Sequence, residues 1–299
     1  MTDQFTGVLA AALTPFTADA SAVDIAGIRR QVEHIVAGGV NGLVPGGSTG
    51  EFTALTTEER TVVNRAYIEA AAGRVPVIAG TGALSTAETI ALTQDAAEAG
   101  AAAAMIVPPF YDVLSFPELL AHYAAVTAAV DLPIMYYNIP AATGIELSAE
   151  EFGELGRVTG VTCFKDTGGD FPKLTRVHFD QSEDITALNG WDTLTFAAFA
   201  LGARAGVWGA ASVIPQLCSD LHRALVVDRD LDRGRALWAL INPICVFLET
   251  HNYACAIKTG ARLVGVDAGP TRRPILPLPD ADVEEFRVLL RDAGAEVVA

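Results

Sequence analysis

Eight short apolar runs alternate with longer stretches of helical periodicity between residue 7 and about residue 227. Strands that are apolar throughout and separated by helices are typical of a parallel sheet with both faces covered. Eight such units match a (β/α)8 barrel, the TIM barrel, so we expect an α/β fold of this class. A doubly wound sheet would need a glycine-rich dinucleotide fingerprint after the first strand, and residues 7–16 contain none. The predicted strands are residues 8–13, 42–44, 75–79, 103–107, 133–137, 161–164, 185–188 and 205–208.

The alternation stops after residue 227, and the rest of the chain is predicted to be helical apart from a proline-rich, extended linker at residues 269–279. We therefore expect a catalytic (β/α)8 barrel domain over residues 1–227 and a C-terminal helical region, packed on the barrel, over residues 228–299. The predicted helices of this region are residues 230–249, 253–264 and 280–293.

Charge and cysteine content narrow the possible partners. The chain has 20 Lys+Arg against 36 Asp+Glu, a net charge of −16, which argues against binding nucleic acid or an anionic membrane. The four cysteines lie far apart, with no histidine at zinc-finger spacing, so we expect no metal site, no disulfide framework and a reducing cytoplasm. No signal peptide is recognisable, and the longest apolar stretch, residues 196–215, contains Arg204, so we expect no membrane span.

Lysine is rare in this chain, with only three among the 20 basic residues. Lys165 ends the apolar run of the sixth predicted strand, which in a barrel is the catalytic rim. A neutral amine there attacks a carbonyl and forms a Schiff base. Of the two strongly basic side chains, only lysine has a pKa that burial lowers far enough for this role. A structural ion pair of Lys165 with Asp166 or Asp170 is the alternative.

Other polar residues also fall at predicted strand ends. Tyr137 ends the fifth strand, where its phenol could relay protons near Lys165 or simply pack with its hydroxyl bonded to a loop carbonyl. Residues 46–51 follow the second strand, and their backbone N–H groups could form a nest for a carboxylate. This segment lacks the spacing of a phosphate loop. A plain turn with no binding role is the alternative. Asp192 follows Gly190 near the seventh strand and could bind a substrate hydroxyl or cap a helix.

Three motifs, taken together and in this order, are typical of one family. Residues 47–51 (GSTGE), 137–140 (YNIP) and 165–167 (KDT) resemble the dihydrodipicolinate synthase / N-acetylneuraminate lyase family of class I aldolases. The likeness covers nearly the whole chain. It implies a (β/α)8 barrel that forms a homotetramer, needs no metal or organic cofactor, and acts on pyruvate and an aldehyde.

The resemblance also implies roles for individual residues. Lys165 would form the Schiff base with the C2 carbonyl of a 2-oxo acid. Tyr137 would be the proton relay, supported by the hydroxyl of Ser48 or Thr49 and, across a subunit interface, by Tyr111. The backbone amides of the turn that contains Ser48, Thr49 and Gly50 would hold the substrate carboxylate.

Departures from the family pattern bear on the substrate. Ala142 stands where the dihydrodipicolinate synthases carry an arginine that grips the aldehyde's carboxylate. Thr167, Gly190 and Asp192 look more like the sialic-acid lyases and 2-keto-3-deoxy sugar-acid aldolases, where they would orient a hydroxylated tail. The match to sialate lyase is incomplete. Its sugar contacts at two positions are missing, because this chain has Thr193 in place of an acidic residue and Gly209 in place of a serine.

We therefore expect a pyruvate-dependent class I aldolase that cleaves or forms a 4-hydroxy-2-oxo acid of the 2-keto-3-deoxy sugar-acid type. Dihydrodipicolinate synthase, a Schiff-base dehydratase and a hydratase-aldolase are alternatives within the family. In the last of these, Trp191, Phe110 and Trp208 would line an apolar pocket for an aromatic aldehyde. A non-catalytic barrel that binds 2-oxo acids is the alternative from a different class.

Overall fold

The computed structural model describes residues 5–298, and this part of the chain contains eight strands. The strands are β1 (Gly7–Ala11), β2 (Gly42–Val44), β3 (Ile78–Gly80), β4 (Ala103–Ile106), β5 (Ile134–Asn138), β6 (Cys163–Asp166), β7 (Thr186–Asn189) and β8 (Ala205–Trp208). They pair in parallel in the order β2-β1-β8-β7-β6-β5-β4-β3. A further parallel bridge joins Leu43 to Val77 and nearly closes the barrel between the two ends of that order. The predicted TIM barrel is confirmed.

Helices alternate with the strands and surround them. They are α1 (Ile25–Ala37), α2 (Thr57–Ala71), α3 (Thr86–Ala99), α4 (Phe116–Ala129), α5 (Pro140–Thr143), α6 (Ala149–Thr159), α7 (Phe171–Asp180), α8 (Thr195–Leu201), α9 (Pro215–His222), α10 (Leu231–Thr250), α11 (Tyr253–Leu263) and α12 (Asp280–Asp292). Local sequence fixes several of their starts. At α6, Ser148 accepts the Glu151 N–H at 3.2 Å and the Glu151 carboxylate accepts the Ser148 N–H at 2.8 Å. This reciprocal capping satisfies N–H groups that a helix start otherwise leaves unpaired.

Side chains of each strand alternate between the barrel interior and the layer under the helices. On β5 and β6, Tyr137 and Cys163 belong to the interior cluster, whereas Tyr136 and Phe164 pack in the outer layer. Because the period along a strand is two residues, Lys165 points to the same side as Cys163. The fold therefore directs both Lys165 and Tyr137 into the barrel, near the carboxyl ends of their strands.

The last three helices pack on the barrel. Trp238 of α10 lies beside Trp208 of β8, with ring centroids 6.4 Å apart. Phe247 of α10 stacks on Phe286 of α12, with centroids 4.4 Å apart. The helices thus lie where the sequence predicts them, while the domain boundary at residue 227 stays a prediction. None of the helices within residues 5–298 combines the length and the apolar character needed to cross a bilayer.

The aromatic stack between α10 and α12 should contribute measurably to stability. Phe286 is fully buried, so we expect Phe286→Ala to lower the free energy of unfolding by about 3–5 kcal/mol, as is typical for truncating a buried phenylalanine. Val288→Ala on the same helix is the control, because Val288 is 45% exposed and should change stability by no more than about 0.5 kcal/mol. Urea denaturation of both variants measures this, and equal effects would show that α12 contributes little through its packed face.

Candidate active site

Lys165 and Tyr137 lie side by side in the barrel. They are direct register partners on β6 and β5, and both side chains are buried. The Lys165 Nζ lies 4.3 Å from the centroid of the Tyr137 ring. The carboxylates considered as ion-pair partners are engaged elsewhere, since Asp166 accepts the Asn138 amide at 2.6 Å and Asp170 lies 3.9 Å from the Lys173 Nζ. The Lys165 amine therefore faces the cavity, where a substrate carbonyl could reach it.

A glycine makes room for the lysine side chain. A Cβ atom at Gly190 would lie 2.6 Å from both the Cγ and the Cε of Lys165, closer than such atoms can approach. The Gly190 N–H also donates to the Asp166 carbonyl at 2.7 Å, so the backbone cannot easily move away. Gly190 thus acts by shaping the channel that Lys165 occupies, a role that its residue type alone does not reveal.

The segment after β2 forms a short 3₁₀ turn at the cavity. The turn spans Ser48–Gly50, and both Ser48 and Thr49 line the cavity. The first N–H groups of such a turn have no acceptor within it, so they are available to an anion. Gly50 ends the turn and does not line the cavity, and its carbonyl accepts the Thr14 hydroxyl at 2.6 Å. A carboxylate could therefore be bound here without a basic side chain.

Two acidic side chains, Asp192 and Glu249, are among the residues that line the cavity. The buried Asp192 accepts the Tyr253 hydroxyl at 2.8 Å and the Ala210 N–H at 3.3 Å. Glu249 accepts the Thr193 N–H at 2.9 Å and the Thr193 hydroxyl at 2.8 Å. Burial raises the pKa of Asp192 to about 7, and the nearby charge of Glu249 acts in the same direction. These carboxyl groups are suited to binding hydroxyl groups and unsuited to binding a second anion.

Tyr253 takes the space that a side chain at position 209 would need. A Cβ atom at Gly209 would fall well inside contact distance of the Tyr253 hydroxyl. The serine that is missing at position 209 is thus replaced by a hydroxyl from α11, and the acidic residue missing at position 193 has a counterpart in Glu249 from α10. Sequence reasoning missed both residues because nothing near them in the chain marks a strand end.

The structure brings most of the predicted site residues together around a cavity of about 260 Å³. The predicted residues that line it are Ser48, Thr49, Tyr137, Lys165, Thr167, Gly190 and Asp192. Tyr111 does not line it and is 85% exposed, so its role across a subunit interface stays a prediction. Within residues 5–298 there is no cluster of three or more His, Cys, Asp or Glu side chains arranged to hold a metal ion.

The aromatic pocket expected for a hydratase-aldolase forms only in part. Trp191 lines the cavity. Trp208 does not, because strand alternation turns its buried ring outward toward Trp238 of α10. Phe110 packs edge-on against Phe52, with ring centroids 5.9 Å apart, and is also outside the cavity lining. The expectation that Trp208 and Phe110 line the cavity is therefore wrong for this chain.

The pKa of Asp192 predicts a pH dependence of stability. A carboxyl whose pKa is raised to about 7 keeps its proton in the folded state after the unfolded chain has released it. We therefore expect Asp192 to reduce stability as pH rises from about 4 to about 7, by up to about 1.4 kcal/mol per pH unit. Asp192→Asn should remove this pH-dependent component. Urea titrations of the wild-type protein and the variant from about pH 4 to about pH 7 measure it as the difference between their free energies of unfolding. Parallel pH profiles would mean that Asp192 does not hold its proton in the folded state.

Comparison with known proteins gives consistent matches along nearly the whole chain. Residues 4–293 match the model of the dihydrodipicolinate synthetase family. The 4-hydroxy-tetrahydrodipicolinate synthase of Thermomicrobium roseum is 37% identical, covering 95% of this chain and 93% of the relative. The dihydrodipicolinate synthase of Acinetobacter baumannii, solved with pyruvate, has a TM-score of 0.92 at 31% identity, with 97% of this chain and 99% of that chain covered. YagE of E. coli K12, also solved with pyruvate, has a TM-score of 0.92 at 29% identity and the same coverage.

These names bear on the expected branch of the family. The curated relative carries the synthase name, so the comparisons do not support the preference for the sugar-acid lyases. They are consistent with the coarser expectation, a barrel related to proteins that bind pyruvate.

Proposed function

The chain belongs to the dihydrodipicolinate synthetase family, and on that premise we propose that it reversibly cleaves a 4-hydroxy-2-oxo acid into pyruvate and an aldehyde. It is a carbon–carbon lyase of the Schiff-base-forming, class I aldolase type. One observation carries the proposal: the amine of the buried Lys165 lies beside the Tyr137 ring in a cavity lined by Ser48 and Thr49.

The proposed chemistry begins at Lys165. Its neutral amine attacks the C2 carbonyl, and the Tyr137 phenol gives its proton to the departing hydroxyl group, so that water leaves and a protonated iminium forms. The iminium withdraws electrons from the C3–C4 bond. The Tyr137 phenolate left by that step takes the proton of the C4 hydroxyl as the C3–C4 bond breaks, so the aldehyde leaves and an enamine stays on the lysine. Protonation of the enamine at C3 and hydrolysis of the iminium release pyruvate and restore the amine.

The substrate carboxylate would bind at the turn that contains Ser48 and Thr49. Backbone N–H groups at the start of such a turn attract an anion without adding a basic side chain. This placement leaves Lys165 as the single basic side chain among the residues that line the described cavity. The carboxylate is thereby held next to the amine without another basic side chain that would compete for it.

We propose an uncharged, hydroxylated aldehyde as the second fragment. Among the lining residues, Asp192 and Glu249 carry carboxyl groups and Tyr253 a hydroxyl. Such groups hydrogen-bond to substrate hydroxyls, whereas a second carboxylate would meet like charge without a partner. Ala141 lines the cavity and is followed by Ala142, so this side supplies no cation either. A 2-keto-3-deoxy sugar acid fits these conditions.

A second candidate is 4-hydroxy-tetrahydrodipicolinate synthesis, which would use aspartate semialdehyde as the aldehyde. The name of the Thermomicrobium roseum relative favours it. The two acidic residues in the cavity lining and the alanine at position 142 favour the first candidate. The two candidates share the pyruvate chemistry and differ only in the aldehyde.

We also propose that the enzyme works as a homotetramer in the cytoplasm. Tyr111, at 85% exposure, lies close in sequence to Val113, which is 66% exposed, as expected if a second subunit covers this face. The four cysteines are buried free thiols, which suits a reducing compartment.

Borohydride reduction in the presence of pyruvate tests the Schiff base directly. We expect a reduced pyruvate adduct on Lys165, located by peptide mass spectrometry, because the imine forms only at an accessible neutral amine. Lys165→Ala should abolish the adduct, and Lys173→Ala should keep it, since Lys173 lies near Asp170 outside the cavity lining. A folded protein that gives no adduct with pyruvate or with a deoxy-oxo sugar acid would leave the non-catalytic barrel as the better interpretation.

The aldehyde preference separates the two candidates. With pyruvate as donor, we expect condensation with glyceraldehyde to exceed that with aspartate semialdehyde. Ala142→Arg should raise kcat/KM for aspartate semialdehyde by about tenfold or more, since it adds a charged partner for the carboxylate. A wild-type protein that prefers aspartate semialdehyde would support the synthase instead.

Product analysis of deoxy-oxo sugar acids completes this test. Pyruvate plus an aldehyde indicates the aldolase, whereas loss of water with an intact carbon skeleton indicates the dehydratase.

A further inference from the structure

We propose that Lys258, in the C-terminal helix α11, is a positioning residue for the carboxylate-binding turn, acting through Glu51. This inference rests on the proposed function, in which the turn Ser48–Gly50 binds the carboxylate of pyruvate. Lys258 is far in sequence from the turn that it positions, so the C-terminal helices gain a role in substrate binding.

The ion pair between the two residues is deeply buried. The Lys258 Nζ lies 2.6 Å from the Glu51 Oε1, and the side chains of Glu51 and Lys258 are 0% and 3% exposed. The Lys258 Nζ also donates to the Pro270 carbonyl at 2.9 Å and lies 4.0 Å from the centroid of the Phe16 ring. Its ammonium group is therefore held from several sides in one place.

Stability alone does not account for such a pair. Burial lowers the pKa of Lys258, and the charge of Glu51 acts in the opposite direction. Buried ion pairs often stabilise a fold less than apolar side chains of the same volume. A pair of this kind is better suited to fixing one geometry.

The geometry that it fixes is the end of the turn. Glu51 directly follows Gly50, and its backbone is left-handed at φ 54°, a conformation that side-chain-bearing residues rarely adopt. The Glu51 N–H donates to the Ser48 carbonyl at 3.0 Å, which closes the turn. Because Glu51 closes the turn, the contact between Lys258 and the Glu51 carboxylate keeps the Ser48 and Thr49 N–H groups pointing in one direction.

A second contact joins the turn to the linker before α12. The Arg272 N–H donates to the Glu51 Oε2 at 2.9 Å, and the Arg272 guanidinium binds both carboxylate oxygens of Glu59 at 2.6 and 2.7 Å. Glu59 lies in the first turn of α2, directly after the loop. The Glu51 carboxylate is thus held at both oxygens, by α11 and by the linker.

The test measures how pyruvate binding depends on this pair. We expect Lys258→Met to raise the pyruvate concentration for half-maximal borohydride trapping by about tenfold, the effect of losing roughly one hydrogen bond to a carboxylate. At saturating pyruvate the label should still reach Lys165. Lys173→Met is the matched control and should leave half-saturation unchanged, since Lys173 lies near Asp170 and outside the cavity lining.

A double variant separates positioning from stability. Lys258→Met leaves Glu51 as an unpaired buried charge, whereas Glu51→Gln/Lys258→Met removes both charges and should recover thermal stability. If the pair positions the turn, the double variant keeps the raised half-saturation even as its stability returns. Half-saturation that returns to the wild-type value together with stability would overturn the proposal, as would an unchanged value in Lys258→Met. A wild-type protein that traps no pyruvate would instead overturn the proposed function on which it rests.

Discussion

The register between β5 and β6 is the constraint on which the rest of the site depends. It sets Tyr137 opposite Lys165, and strand alternation turns both side chains into the barrel. A slip by one residue would exchange the faces and place Phe164 in the cavity, with the lysine among the helices. The aromatic stack of Phe152 on Phe164, with centroids 4.1 Å apart, opposes that slip from the outer layer. Packing far from the chemistry thus secures the position of the amine.

Around this pair, the cavity separates its functions by charge. Its lining combines the turn with Ser48 and Thr49, a single lysine, and the carboxyl groups of Asp192 and Glu249. The anionic end of a substrate is attracted to the turn and repelled by the carboxyl groups, which favours one orientation of the substrate. A chain with net charge −16 can bind an anion in this way because the attraction is local and the repulsion is diffuse.

Residues whose function follows from their place on a strand were predictable, and residues brought in by tertiary packing were not. Lys165 and Tyr137 end apolar runs, and a barrel gathers the ends of its strands at one rim. Tyr253 and Glu249 lie on helices that pack over the rim, and no local pattern says which helical face reaches the cavity. The prediction that Trp208 lines the cavity was wrong for a related reason. Its strand was predicted correctly, but the sequence does not show which of the two alternating sets of side chains on that strand faces the barrel interior.

The contact between Gly209 and Tyr253 links two positions that are far apart in the chain. The backbone at Gly209 is right-handed helical, at φ −75° and ψ −37°, so its conformation suits most residues, and the obstacle to a side chain there is the Tyr253 ring with its hydroxyl. The two positions can therefore change only in one order: residue 253 must become smaller before residue 209 acquires a side chain. Descendants of this sequence that recruit a new contact at position 209 must pass through an intermediate that has lost the Tyr253 ring with its hydroxyl and has gained nothing in its place.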